Sequence, residues 1–153
     1  MNKKLLDEIR SLLKSQRLGV LATGGGRHPY TSLVAFAETD DLRHVLFASH
    51  GQTRKVGNIQ NDRRVSLLLD NRVNQPEDFR QAEALTVLGT AEETPVAERP
   101  QLAAVYLAKH PYLKDFLTSP GCLLFSIRVN RYSLVRRFQD VVEIVFDEPV
   151  SAS

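Results

Sequence analysis

The sequence predicts an α+β protein whose centre is a small β-barrel of about six to eight mainly antiparallel strands, with helices on its flanks. Short apolar runs of strand length recur along the chain, separated by short turns. Helical periodicity is confined to the N-terminus and a few later segments, so strands and helices do not alternate as in a parallel sheet. At 153 residues, the chain reads as one domain spanning 1–153, large enough for one sizeable core.

The elements follow in order. Leu5, Leu6, Ile9, Leu12 and Leu13 form one apolar face, which predicts a helix over Lys3–Gln16. Leu18–Thr23 is a short apolar run and reads as a strand. Gly24-Gly25-Gly26-Arg27-His28 is a turn. Pro29 opens a second strand to Ala37, because proline is tolerated at a strand's first position. Thr39-Asp40-Asp41 turns the chain into a third strand, His44–Ala48, completing an antiparallel meander. Thr53 can cap a short helix, Thr53–Gln60, with Val56 and Ile59 on its buried side. Val65, Leu67 and Leu69 alternate with Ser66, Leu68 and Asp70 in a fourth strand. Asn71–Ala82 is polar and reads as a loop, long enough to suggest function or a subunit contact. Leu85–Glu93 is the fifth strand. Thr94-Pro95 resembles a helix cap, but Pro100 places the helix start nearer Arg99, and the helix runs to Lys109 before Pro111. Pro111–Leu117 adds a short helix. Leu123, Phe125, Ile127 and Val129 alternate in a sixth strand. Asn130 separates it from a seventh, Tyr132–Phe138, and Val141–Phe146 forms an edge strand. The tail from Asp147 is expected to fray.

Composition excludes several classes. Hydrophobic residues at 42% and charged residues at 25% fit a globular chain. Lys+Arg 20 against Asp+Glu 18 leaves a net charge of +2, which argues against a dedicated nucleic-acid binder. No apolar run approaches the roughly 20 residues of a membrane helix, and Asp7 and Glu8 break any signal-peptide core. Cys122, the single cysteine, cannot form an internal disulfide and reads as a buried, inert thiol. These features point to a cytoplasmic protein with no nucleic-acid or membrane partner. His28, His44, His50 and His110 fall singly, without the spacing of a zinc motif, so no metal site is expected. A lone histidine is nevertheless compatible with haem, which needs one axial ligand.

The triple glycine is not a nucleotide loop. Gly26 is followed by Arg27-His28-Pro29 rather than Lys-Ser/Thr, and a strand rather than a helix follows. The segment Phe47-Ala-Ser49-His50-Gly51-Gln52-Thr53-Arg54-Lys55 carries more chemistry. A strand ends, and hydroxyls and two cations gather where a helix begins. Free amides and the positive end of the helix dipole suit a phosphate there. Arg54 could grip two oxygens while Lys55 supplies a point charge. Taken alone, an ordinary capped helix with solvated basic residues explains the segment at least as well.

The wider pattern shifts that balance. Pro29-Tyr30-Thr31-Ser32-Leu33-Val34, then Ser49…Thr53-Arg54-Lys55, then Asp62-Arg63-Arg64-Val65-Ser66-Leu67-Leu68-Leu69 resembles the pyridoxamine-5′-phosphate oxidase-like family of FMN-binding split barrels. The order and spacing match without gaps from Pro29 to Asp70. The resemblance implies FMN as cofactor. It places Ser49, Thr53, Arg54 and Lys55 at its phosphate, and Tyr30, Thr31, Ser32 and Leu33 along its ring and ribityl chain. Asn71, just beyond the next strand, would approach the ring. It also implies a homodimer with the cofactor at the subunit interface, and an FMN-dependent oxidoreductase of unknown small-molecule substrate.

The chain departs from the family's vitamin-making members. Ser32 stands where they have arginine, and there is no tryptophan. Tyr106-Leu-Ala-Lys-His110-Pro111 and Leu134-Val-Arg-Arg-Phe138 resemble the family's haem-utilisation branch instead, which leaves a haem-binding or haem-degrading protein as one alternative. His110, before a proline, reads as a helix-end residue rather than a ligand. A non-catalytic dimeric binding protein is the other alternative. No catalytic residue can be nominated, since flavin chemistry need not leave an acid–base residue in the sequence.

Overall fold

The computed structural model describes residues 2–146; the expected fraying from Asp147 falls outside them. Helices α1 (Lys3–Ser15), α2 (Arg54–Asn61), α3 (Asp78–Gln81), α4 (Arg99–Lys109) and α5 (Lys114–Thr118) accompany strands β1 (Leu18–Thr23), β2 (Tyr30–Glu38), β3 (His44–His50), β4 (Arg64–Asp70), β5 (Glu83–Glu93), β6 (Cys122–Arg136) and β7 (Asp140–Val145). The strand order is β3-β2-β1-β4-β5-β6-β7, every pairing is antiparallel, and β3 also pairs with β6. That last pairing closes six strands into a barrel and leaves β7 as an extension. The meander β1–β2–β3 and the α+β barrel are as the periodicity predicts.

Closure is achieved by apolar stacking. Phe47 and Phe125 are register partners on β3 and β6, and their buried rings stack 5.2 Å apart at 9°. Inside the barrel, Leu21, Phe36, Leu67, Val87, Ile127 and Leu134 meet the buried face of α1 and Val56 and Ile59 of α2. Asn2 caps α1 by accepting the Leu5 amide at 3.1 Å.

Two expectations are corrected. The sixth and seventh strands are one strand, β6, that continues through Asn130. The register with β5 shifts there, since Val129 faces Gly89 while Arg131 faces Leu88. Asn130 is thus the extra residue of a β-bulge rather than a break. Its first half closes the barrel on β3 and its second half carries β7. The Asn71–Ala82 stretch is also not wholly loop, because Asp78–Gln81 makes one helical turn. The Asp78 carboxylate accepts the amides of Val73, Asn74 and Gln75 at 3.0, 2.7 and 3.2 Å. Those bonds, led by the Val73 amide, hold its carboxyl below the usual range.

Helix α4 packs outside the barrel on β2 and β3, over a second cluster of Ala37, Leu46, Ala48, Leu124 and Tyr106. Its polar side chains satisfy strand carbonyls. The Tyr106 hydroxyl donates to Ala35 O at 3.1 Å, and His110 Nε2 lies 2.6 Å from Phe36 O. Lys109 Nζ bridges Leu13 O at 2.7 Å and the Glu38 carboxylate at 2.9 Å. Burial pushes the Tyr106 hydroxyl up to about 12.

His110 is 6% exposed, and burial holds its pKa below the ordinary 6.5. The unfolded chain therefore binds the extra proton first. Stability is full above the unfolded value and declines as pH falls below it, down to the folded pKa. Urea midpoints should accordingly drop as pH falls below the ordinary histidine value of 6.5, and His110→Gln should flatten that part of the profile. An unchanged acid slope in the variant would assign the loss to other groups.

Candidate functional site

The phosphate-type segment is assembled where β3 ends and α2 begins. Thr53 is the N-cap of α2, and its Oγ1 accepts the Val56 amide at 3.4 Å. Ser49, at the end of β3, is 2% exposed. Its Oγ lies 3.1 Å from Thr53 Oγ1, and both hydroxyls reach His50 O, at 3.0 and 3.2 Å. The turn is thus held by its own hydroxyls, and the cation pair follows on the first turn of α2.

The two cations are in an unusual setting. The first turn of α2 holds no acidic residue. Among the described residues neither Arg54 nor Lys55 has an ion-pair partner. Positive charge at the positive end of a helix dipole is unfavourable, by roughly 0.3–1 kcal/mol per group. Lys55 is also partly buried, and desolvation lowers its pKa. The exposed Arg54 guanidinium lies over the Tyr30 ring, 5.2 Å from its centroid. This contact joins the start of β2 to the start of α2, so two residues paired only by the family pattern do meet.

The rest of the β2 group divides by strand alternation. Ser32 faces Leu21 across the β1–β2 pair, and its Oγ is enclosed with no hydrogen-bond partner among the described residues. Thr31 and Leu33 lie on the other face, where Leu33 is 66% exposed. Asn71 directly follows β4. Its Oδ1 accepts the Glu83 amide at 2.7 Å, and its own amide donates to Glu83 O at 3.2 Å. It therefore clasps the two ends of the segment between β4 and β5.

One support for the site is not visible in the sequence. Gly25 has φ +65°, and a Cβ there would come within 2.8 Å of Asn58 Oδ1 and 2.9 Å of Asn58 Cα. Asn58 Nδ2 in turn donates to Thr23 Oγ1 at 3.1 Å. The glycine turn is thus seated on α2 and positions it. Gly25→Ala is expected to destabilise the protein by about 1–3 kcal/mol through strain and overpacking. Chemical denaturation checks this; an unchanged midpoint would mean the turn is free to lift off the helix.

Comparison with known proteins places this architecture. The family model described as pyridoxamine 5′-phosphate oxidase matches residues 5–136. The chain belongs to that family. Solved structures similar to this member of the pyridoxamine 5′-phosphate oxidase family include a haem-binding protein from Mycobacterium smegmatis, with TM-score 0.82 and 18% identity over 95% of this chain and 59% of that one. An FAD-binding protein from Mesorhizobium loti has TM-score 0.67 and 22% identity, over 84% of this chain and 90% of that one. A general stress protein 26-related protein of the pyridoxinephosphate oxidase family from Clostridium acetobutylicum has TM-score 0.72 and 16% identity, over 95% and 96%. At these identities the likeness is one of fold. The family member described here spans 59% of the length of the Mycobacterium smegmatis protein. No curated protein sequence matches it. No helix among the described residues is long and apolar enough to cross a membrane.

Proposed function

We propose that the chain is an FMN-binding flavoprotein that works as an oxidoreductase on a small molecule, in a cytoplasmic homodimer with the cofactor at the subunit interface. The observation that carries this reading is the pair of cations, Arg54 and Lys55, that have no acidic partner among the described residues and stand beside the Ser49 and Thr53 hydroxyls at the start of α2. A phosphate dianion there would offset the unfavourable dipole effect on both cations and the desolvation of Lys55. When bound, FMN supplies hydride or single-electron transfer. The residues of this chain hold its phosphate, align its ring along Thr31 and Leu33, and exclude water from one face.

The dimer is argued from what the helices leave bare. Helices α4 and α5 cover one side of the barrel. On the other, Leu33, Val20 and Leu68 stand side by side on β2, β1 and β4, and Leu18, Leu33 and Leu68 are 53%, 66% and 41% exposed. A row of exposed leucines on a sheet face marks an association surface. A second copy would cover it and roof a cofactor lying along β2.

A haem-binding reading has the named Mycobacterium smegmatis protein in its favour. Against it, the buried His110 is already engaged with Phe36 O. One experiment separates the readings. Purified protein is titrated separately with FMN and with haemin while its visible spectrum and sedimentation are followed. Saturable FMN binding at micromolar concentration by a dimer is expected. A Soret band on haemin addition with no FMN binding would replace the flavin reading with the haem one, and binding of neither would leave a non-catalytic dimer.

A further inference from the structure

A cavity of about 800 Å³ lies between the Asn71–Ala82 segment and the β6–β7 turn. Small-molecule sites typically enclose roughly 300–1,000 Å³. Its apolar wall includes Leu68, Phe79, Ala84, Val135 and Phe138. The two phenylalanines come from distant parts of the chain and meet edge to face, with centroids 5.6 Å apart, yet they remain 65% and 67% exposed. Phe138 is presented by a turn in which Arg137 and Phe138 both have left-handed backbone, φ 52° and 69°. Such a conformation costs on the order of 1 kcal/mol or more for each non-glycine residue. Among the described residues, neither that strain nor the exposed rings are offset by burial. An apolar molecule seated in the cavity would offset both.

The charges select the ligand. Among the described residues, Asp70, Asp78 and Glu83 line the cavity against a single cation, Arg72, which is already paired with Asp70 at 3.2 Å. The acidic excess disfavours a phosphate or carboxylate. We infer that the cavity binds an apolar molecule that is neutral or cationic, and that it seats the substrate of the flavin. The second half of this inference rests on the flavoprotein reading; the binding does not. Leu68 is separated from Leu33 by one strand, two strand spacings or roughly 10 Å, so a ring lying along β2 and a molecule in the cavity share one sheet face.

The chain contains no tryptophan, so an indole ligand can be followed by its own fluorescence anisotropy. Tryptamine, 3-methylindole and indole-3-acetate are each titrated with the full chain in the absence of FMN. The first two should bind, and indole-3-acetate should bind at least roughly tenfold more weakly. Phe79→Ala and Phe138→Ala should each weaken binding roughly tenfold, whereas Phe138→Leu should retain most of it. Both rings are exposed, so circular dichroism and the melting temperature should show the variants folded. The inference is overturned if no indole binds, if the carboxylate binds as tightly as the amine, or if folded alanine variants bind as well as the parent. FMN titration of the same sample is read separately. Indole binding without FMN binding would remove the flavin reading and leave the cavity as a binding site, while FMN binding without indole binding would do the reverse.

Discussion

Replacing Arg54 and Lys55 together by alanine is expected to weaken FMN binding by about 2–5 kcal/mol, roughly 30-fold to several thousand-fold in Kd. The size follows from their setting. Neither cation has an ion pair within the described residues to satisfy it, and the helix they open carries no acid in its first turn. Their charge is therefore free to act on an added anion. For the same reason the double variant should fold normally, since no internal ion pair is lost. Arg54→Lys should fall between the two, because it keeps the charge but loses both the planar fork and its seat on the Tyr30 ring. Fluorescence titration with FMN, repeated at two ionic strengths, measures all three. Unchanged affinity in the double variant would place the phosphate elsewhere.

The parts of this site that are legible in the sequence are the parts that are contiguous. Ser49, Thr53, Arg54 and Lys55 lie within one strand-turn-helix connection, so their types and spacing define the cluster before any tertiary contact is known. The same holds for α1 and β4, where one apolar face or one alternation is sufficient. What could not be read depends on residues distant in the chain. Nothing local to Gly25 announces that Asn58 will press against it, and nothing about Phe79 or Phe138 distinguishes two exposed rings that meet from two that do not. Asn71 is placed by the family pattern alone, and its side-chain oxygen accepts the Glu83 amide. The helical turn at Asp78–Gln81 escaped because a single turn has too few residues to display a period; it is organised by the Asp78 carboxylate instead.

Asn130 is the most instructive misreading, and it leads to the second large effect. A polar residue between two alternating runs signals a break. Here the signal is real but marks a bulge, and the Asn130 carbonyl accepts the Phe146 amide at 2.9 Å just beyond β7. Passing one strand from the closed barrel to the extension requires β5 and β6 to approach very closely, and Gly89 is where they do. A Cβ at Gly89 would run into the Arg128 carbonyl oxygen and come within 2.9 Å of Ile127 Cγ2. The obstacle is backbone already committed to the sheet, so it cannot swing aside like a flexible side chain. Gly89→Ala should therefore destabilise the protein by about 3 kcal/mol or more. In a chain of this size that lowers the melting temperature by roughly 6–12 °C. Gly57, in α2, supplies the opposite sign. A Cβ there meets nothing within 4 Å, so Gly57→Ala should stabilise by roughly 0.5–1 kcal/mol through helix propensity alone. Thermal and urea denaturation of the two variants side by side tests the bulge directly. If Gly89→Ala melts with the parent while Gly57→Ala gains as expected, the strands can part at the bulge, and the passage from barrel to extension is not held by the close approach at Gly89.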